Sequence, residues 1–364
     1  MLLSELTASV RRLALVGLAK NSGKTVTLAA LLRELETEGR LIGVTSVGRD
    51  GEERDVIDAR IEKPRVRLRA GSLVATTDAL LSVSAIAHTV LENTGVRTPL
   101  GSVLIARLRD PGTIEVAGPS ASEDVRAVSD AMLGHGAEQV LIDGAIDRRA
   151  ASSPAVTDGL VMSTGAVLGS ELQEVVSRTR DAVEVVRLAE LTDTRVRALA
   201  ERTQDAAGRH RESRAASLLV SEDYEVVELE PRFVLTSASE QIAAALDANP
   251  RTRWLIVPGA LPEAFLQGLL RARRGGGLVL VVADSTRVFL VERGPDWYGR
   301  QGLEIQTLDT TALEAMTVNP VAPQSHSFDS VQLREAVAQA IDEVPIFDVL
   351  HSDYLSIERA APRL

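Results

Sequence analysis

Residues Gly17-Leu-Ala-Lys-Asn-Ser-Gly-Lys-Thr25 constrain the fold of this chain more than any other stretch. They follow a short apolar run, Leu13-Ala-Leu-Val-Gly17, which reads as a strand. They precede leucines and alanines at helical spacing over residues 25–38, with Gly39 as a stop. A second apolar run over 41–47 reads as another buried strand. Strand, loop, helix and strand in this order belong to an α/β fold with a mostly parallel sheet.

The residue types in the loop suit one kind of chemistry. Gly23 lets backbone N–H groups turn toward an anion, and the helix that follows directs its positive dipole end there. Lys24 is placed to reach phosphate oxygens, and Thr25 to offer a hydroxyl to Mg²⁺. Ser22-Gly-Lys-Thr25 is the end of a Walker A motif, but the spacing departs from G-x4-G-K-[ST]. The residue where the first glycine belongs is Leu18, and the glycine stands one position earlier, at Gly17. The expected nucleotide contacts are Gly17, Lys20, Asn21, Ser22, Gly23, Lys24 and Thr25. Of the 40 basic residues only Lys20, Lys24 and Lys63 are lysine, so two of three fall inside this loop. Lys20 reads equally as a phosphate contact or as a solvated loop lysine.

A metal-bound phosphate needs a carboxylate as well. Val140-Leu-Ile-Asp143-Gly144 is a buried strand ending in Asp, the form of a Walker B motif, so Asp143 is the first expected metal contact. The second is Asp50, in Thr45-Ser-Val-Gly-Arg-Asp-Gly-Glu52, because ligands collect at the carboxyl ends of parallel strands. A polar turn is the alternative for Asp50. Lys24, Asp50 and Asp143 are the expected catalytic residues, and Thr25, Asp50 and Asp143 the expected metal contacts. Near them, Asp147, Arg148 and Arg149 place charge beside the site, the arginines reading better as surface residues. Gly118-Pro-Ser120 offers N–H groups to an anion, although Ser120 or Ser122 reads better as a helix N-cap. Ser163-Thr-Gly165 is a candidate pocket lining. Arg65, Arg67 and Arg69 alternate with Val66 and Leu68, which reads as a solvated strand edge.

Elsewhere strands are expected at 71–75, 139–143, 159–162, 254–257 and 278–282, and helices at 78–91, 122–133, 262–274 and 330–342. Residues 103–107 and 113–117 read as a hairpin around Asp110-Pro-Gly112. A charged helical region over 171–214 reads as a hinge between lobes. The expected fold class is therefore α/β: a P-loop NTPase-like, mostly parallel sheet with helices on both faces, plus a C-terminal α/β lobe. The expected domains are a nucleotide-binding domain over 1–210 and a lobe over 211–364, the latter readable also as an extension of the first sheet.

Composition narrows the classes. Net charge is −11, which disfavours nucleic acid and anionic membranes as partners. Cysteine is absent, which removes thiolate metal sites and thiol nucleophiles. The five histidines show no ligand spacing, so no zinc is expected. No apolar run reaches the roughly 20 residues of a membrane span, and no signal-peptide layout is present, so a cytoplasmic location is expected. The absence of an Asn-Lys-x-Asp motif favours ATP over GTP, and ATP with Mg²⁺ is the expected cofactor set.

The loop, together with Thr45–Glu52, Gly118-Pro-Ser120, Asp143–Arg149, Ser153–Asp158, Ser163–Ala166, Val318-Asn-Pro320 and Phe347-Asp348, resembles the P-loop subunit of the lysine 5,6-aminomutase reactivase, over most of the chain. The resemblance implies an ATP-dependent partner of a MutS-like ATPase subunit. Together they would release damaged cobalamin from an adenosylcobalamin-dependent aminomutase. The nucleotide loop is also similar to that of the molybdopterin-guanine-dinucleotide adapter, and the strand plan to dethiobiotin-synthetase-type enzymes. Three functions follow: a nucleotide-driven conformational machine, an ATP-dependent small-molecule ligase or kinase, and a nucleotide-binding interaction subunit with little turnover. A homo-oligomer stays open.

Overall fold

The computed structural model describes residues 2–47, 65–145, 152–209, 216–229, 239–272, 277–323 and 325–349. The chain divides into two compact units, residues 1–179 with 311–364, and residues 180–310. This division differs from the expected boundary at 210. The chain leaves the first unit within the helix Leu172–Val186 and returns to it before the strand Ala312–Asn319. The return is fixed by pairing, since Ala312–Asn319 runs parallel to Gly159–Gly165. The last segment thus extends the first sheet, and a separate C-terminal lobe over 211–364 does not form.

The first unit is built on a nine-stranded sheet. In spatial order its strands are Ile346–Phe347, Ala312–Asn319, Gly159–Gly165, Arg12–Gly17, Gln139–Ala145, Ile42–Ser46, Leu73–Thr77, Gly101–Leu108 and His88–Thr98. The first seven are parallel to their neighbours, and the last two join antiparallel. The central strands read as continuous apolar runs because they are covered on both sides. Leu13, Leu15, Val44 and Leu141 share a buried cluster with Leu28, Leu31 and Leu35 of the helix Lys24–Thr37. Side chains alternate along a strand, so Gly43 and Val140 face the other way. There Gly43 meets Met132 of the helix Ser122–Gly134; a Cβ on Gly43 would lie 2.8 Å from the Met132 methyl and 3.3 Å from a Val140 methyl. The two helices therefore cover opposite faces of the sheet.

Two expectations fail at the antiparallel edge. The helix expected over 78–91 stops at Val83, and His88–Thr98 is a strand. Its residues pair with the next strand, Gly101–Leu108, in a hairpin, and that cross-strand pairing overrides the helical pattern. The expected hairpin of 103–107 with 113–117 is absent. Both edges of Gly101–Leu108 are already occupied, by Leu73–Thr77 and His88–Thr98. Gly112–Glu115 pairs instead with Arg65–Leu68 in a separate two-stranded sheet.

The second unit holds a six-stranded sheet in the order Ala189–Glu190, Leu303–Thr307, Leu278–Val282, Thr252–Ile256, Leu218–Ser221 and Val226–Glu228. Its first four strands are parallel and the last two antiparallel. The charged region expected as one long hinge is two helices, Leu172–Val186 and Thr194–Arg209, split by the short strand Ala189–Glu190. The core gathers Leu255, Leu280 and Ile305 of the sheet with Phe265, Leu266 and Leu269 of the helix Glu263–Ala272 and with Tyr298.

Candidate functional site

Four parallel strands finish side by side in the first unit. Gly17 is in register with Ala145 on one side and Ser163 on the other, and Ser163 with Thr317. The loop of residues 18–23 lies at these carboxyl ends, where ligands collect in open α/β sheets.

The displaced glycine has a local explanation. Leu18 is buried, and its N–H donates to the Ser163 carbonyl at 2.9 Å, so the strand pairing continues one residue past Gly17. Gly17 itself lies under the Ser22 side chain, and a Cβ there would sit 2.5 Å from Ser22 Oγ. Ser22 is buried, and its hydroxyl has no hydrogen-bond partner among the described residues. The loop then turns through two left-handed residues, Asn21 at φ 66° and Gly23 at φ 104°. Asparagine tolerates that region and glycine adopts it without a Cβ penalty.

Gly23 occupies the N-cap of the helix Lys24–Thr37, with no side chain capping it and no acidic residue in the first turn. The N–H groups of a first helical turn have no intrahelical partner, and the dipole gathers positive charge there. The Thr25 side chain is exposed at this end, as are Lys20 and Asn21. Lys24 Nζ donates to Asp143 Oδ1 in an ion pair, with about one-fifth and one-eighth of their side chains exposed. The Asp143 carbonyl accepts the Val47 N–H at 3.0 Å, which ties the next strand to the same place. Asp50 lies outside the described residues, as do Asp147, Arg148 and Arg149.

Beneath the loop three buried hydroxyls join. Thr27 Oγ1 is 3.1 Å from Ser163 Oγ and 2.7 Å from Thr317 Oγ1, and Thr317 donates to Ser163 at 2.9 Å. Ser163 is thus fully buried in a brace, which corrects its expected role as a pocket lining. Thr164 bonds Thr179 at 2.6 Å in the same buried manner. The Gly118 N–H is also engaged, donating to Ser46 Oγ at 3.0 Å, so it is not turned to an anion. The helix Ser122–Gly134 takes Ala121 as its N-cap, without a side-chain bond, in place of the expected serine. Arg65 and Arg67 are exposed on an edge strand, as read from their alternation with Val66 and Leu68.

The sequence reading missed Asn319 as a site residue. It ends the strand Ala312–Asn319, and its Nδ2 donates to the Asn21 carbonyl at 2.9 Å. Thr27 and Thr317 were missed as well. Nothing local marks them, because their partners are 136 to 290 residues away. Among the described residues no three acidic or histidine side chains form a group that could hold a metal ion. No described helix is long and apolar enough to cross a membrane. Comparison of the chain with protein-family models, with curated proteins and with solved structures finds no match in any of the three.

Proposed function

We propose that this chain binds a Mg²⁺-nucleoside triphosphate, ATP by preference, at residues 17–25, and acts as an ATP-dependent reactivating subunit for an adenosylcobalamin-dependent aminomutase. One observation carries the nucleotide part. An uncapped helix N-terminus at the carboxyl end of a central parallel strand is flanked by Lys24 and Asp143, a cation and a carboxylate within contact of each other. A polyphosphate and its metal ask for that pair of charges.

The residues fit the group. Lys24 and the N–H groups of the first helical turn would take the phosphate oxygens, and Lys20 is exposed on the same loop. Thr25 and Asp143 would hold Mg²⁺; Asp50, the other expected metal contact, lies outside the described residues. The metal supplies charge neutralisation on the phosphates. The chain's own part is to orient the triphosphate and stabilise charge on the transferring group, with water as nucleophile. The aminomutase and a MutS-like subunit enter as partners through the sequence resemblance alone.

Ligase or kinase activity has less support. Ser163 and Thr164, candidates for an acceptor pocket, use their hydroxyls inside the fold, and the Gly118 N–H is bonded to Ser46. The test is Mg-ATP turnover by the full chain, alone and with the aminomutase and its MutS-like partner. Stimulation by the proteins is expected. Turnover that needs a small carboxylate or amine instead would favour the ligase, and absence of nucleotide binding would reject the proposal.

A further inference from the structure

We infer that Asn319 is a positioning residue for the nucleotide loop: it holds residues 21–23 in their left-handed turn from a strand that is remote in sequence. The inference rests on the nucleotide reading above. Its observations are geometric. Asn319 Nδ2 donates to the Asn21 carbonyl at 2.9 Å, across 298 residues of sequence. Asn319 Oδ1 accepts the Val321 N–H at 3.1 Å, which fixes the orientation of the amide. A Cβ built on Gly23 would lie 3.0 Å from Asn319 Cβ, so the side chain also abuts the second left-handed residue. Gly165 leaves room for the Asn319 backbone, against which its own Cβ would collide.

The role follows from what the loop lacks. Asn21 at φ 66° is in a left-handed conformation that asparagine tolerates but that ordinary backbone does not prefer, so the turn gains from a contact that holds it. Among the described residues the loop's other bonds are Ser22 N–H to the Ala19 carbonyl at 3.2 Å, Leu18 N–H to the Ser163 carbonyl at 2.9 Å, and the Thr27 N–H and hydroxyl to the Gly23 carbonyl at 2.9 and 3.2 Å. None of them reaches the Asn21 carbonyl from outside the loop. Asn319 does, and Asn319 is delivered by the strand with which the chain re-enters the first unit. An anion-binding turn must be held in shape before the ligand arrives, or the ordering cost is taken from affinity. The strand leading to Asn319 is paired on both sides at Met316 and Thr317 and anchored by the Thr317 hydroxyl, and Asn319 itself is in register with Gly165, so it is a rigid holder.

The experiment uses the full chain and calorimetric titration with Mg-ATP, Mg-ADP and AMP, on wild type, Asn319→Ala, Asn319→Gln and Lys24→Ala. Asn319→Ala removes the amide without adding charge near phosphate. It should bind ATP about tenfold more weakly, the effect of one hydrogen bond. The loss should shrink from ATP to ADP to AMP, because the turn faces the outer phosphates. Asn319→Gln keeps a donor and should recover part of the loss. The unfolding temperature without nucleotide should stay at the wild-type value. Equal weakening of all three nucleotides together with a lower unfolding temperature would overturn the positioning role in favour of a purely structural one. Wild-type affinity in Asn319→Ala, with binding lost in Lys24→Ala, would overturn the role of Asn319 and leave the nucleotide reading intact. Absence of binding by the wild type would overturn both.

Discussion

Lys24 and Asp143, 119 residues apart in sequence, are joined in a partly buried ion pair at the carboxyl end of the central sheet. Each compensates the charge of the other in a place where an isolated charge would be costly. A Mg²⁺-polyphosphate competes for both at once, the phosphate for the ammonium and the metal for the carboxylate. Lys24→Ala should therefore remove at least tenfold of ATP affinity, as expected for a lost charge-assisted bond of about 1.5–3 kcal/mol. Calorimetry with Mg-ATP reads this directly. Unchanged affinity would sink the phosphate-loop argument.

Asp143→Asn separates binding from turnover. The amide keeps the shape and the main-chain bond from Val47 but loses the charge that a metal needs. Turnover should fall about a hundredfold. Its dependence on Mg²⁺ concentration should move to higher metal. A variant with wild-type Mg²⁺ dependence would exclude Asp143 from the metal site.

The hydroxyl brace makes a stability prediction. Thr27→Val is nearly isosteric, and it leaves Ser163 and Thr317 bonded to each other at 2.9 Å. The lost bonds should cost about 1–2 kcal/mol. Urea unfolding should show a lower midpoint at an unchanged slope. An unchanged midpoint would mean that the brace adds nothing to the fold.

Glu263 in the second unit sets a pH dependence. Burial works to raise its pKa, but three backbone N–H groups, of Val291, Glu292 and Arg293, and the Tyr298 hydroxyl outweigh this and hold it below its ordinary value of 4.5. A carboxylate with a depressed folded pKa stabilises the fold above the unfolded value, and the contribution is lost as pH falls through the folded one. Glu263→Gln imitates the protonated group. Near pH 7 it should be less stable than wild type. Below 4.5 the two should converge. A difference that stays constant from pH 7 to pH 3 would contradict the charged role of Glu263.

The α/β character, the central parallel strands and the loop–helix unit were legible because they depend on local periodicity and on residue types with fixed chemistry. The strands 13–17, 159–162 and 278–282 are apolar over their whole length, 139–143 is apolar between Gln139 and Asp143, and the structure has each within a strand. The helix read over 78–91 was not legible as a strand. Its residues carry a helical pattern, and only pairing with Gly101–Leu108 makes them extended. The division of the chain was misjudged for a related reason. No composition shift marks residue 311, where the chain returns to add a strand beside Gly159–Gly165.

The sequence by itself determined which residues carry charge and hydroxyls at the loop: Lys24, Thr25 and, at the end of another apolar run, Asp143. Their chemistry is intrinsic to the side chains and to the order strand, loop, helix. The tertiary structure decided how the loop is held. Leu18 continues the strand because Ser163 is beside it, and Ser22 folds over Gly17. Asn319 reaches Asn21 because parallel pairing brings four carboxyl ends to one edge. Contacts between residues hundreds of positions apart depend on sheet order, and sheet order is set by which faces and edges can be buried together.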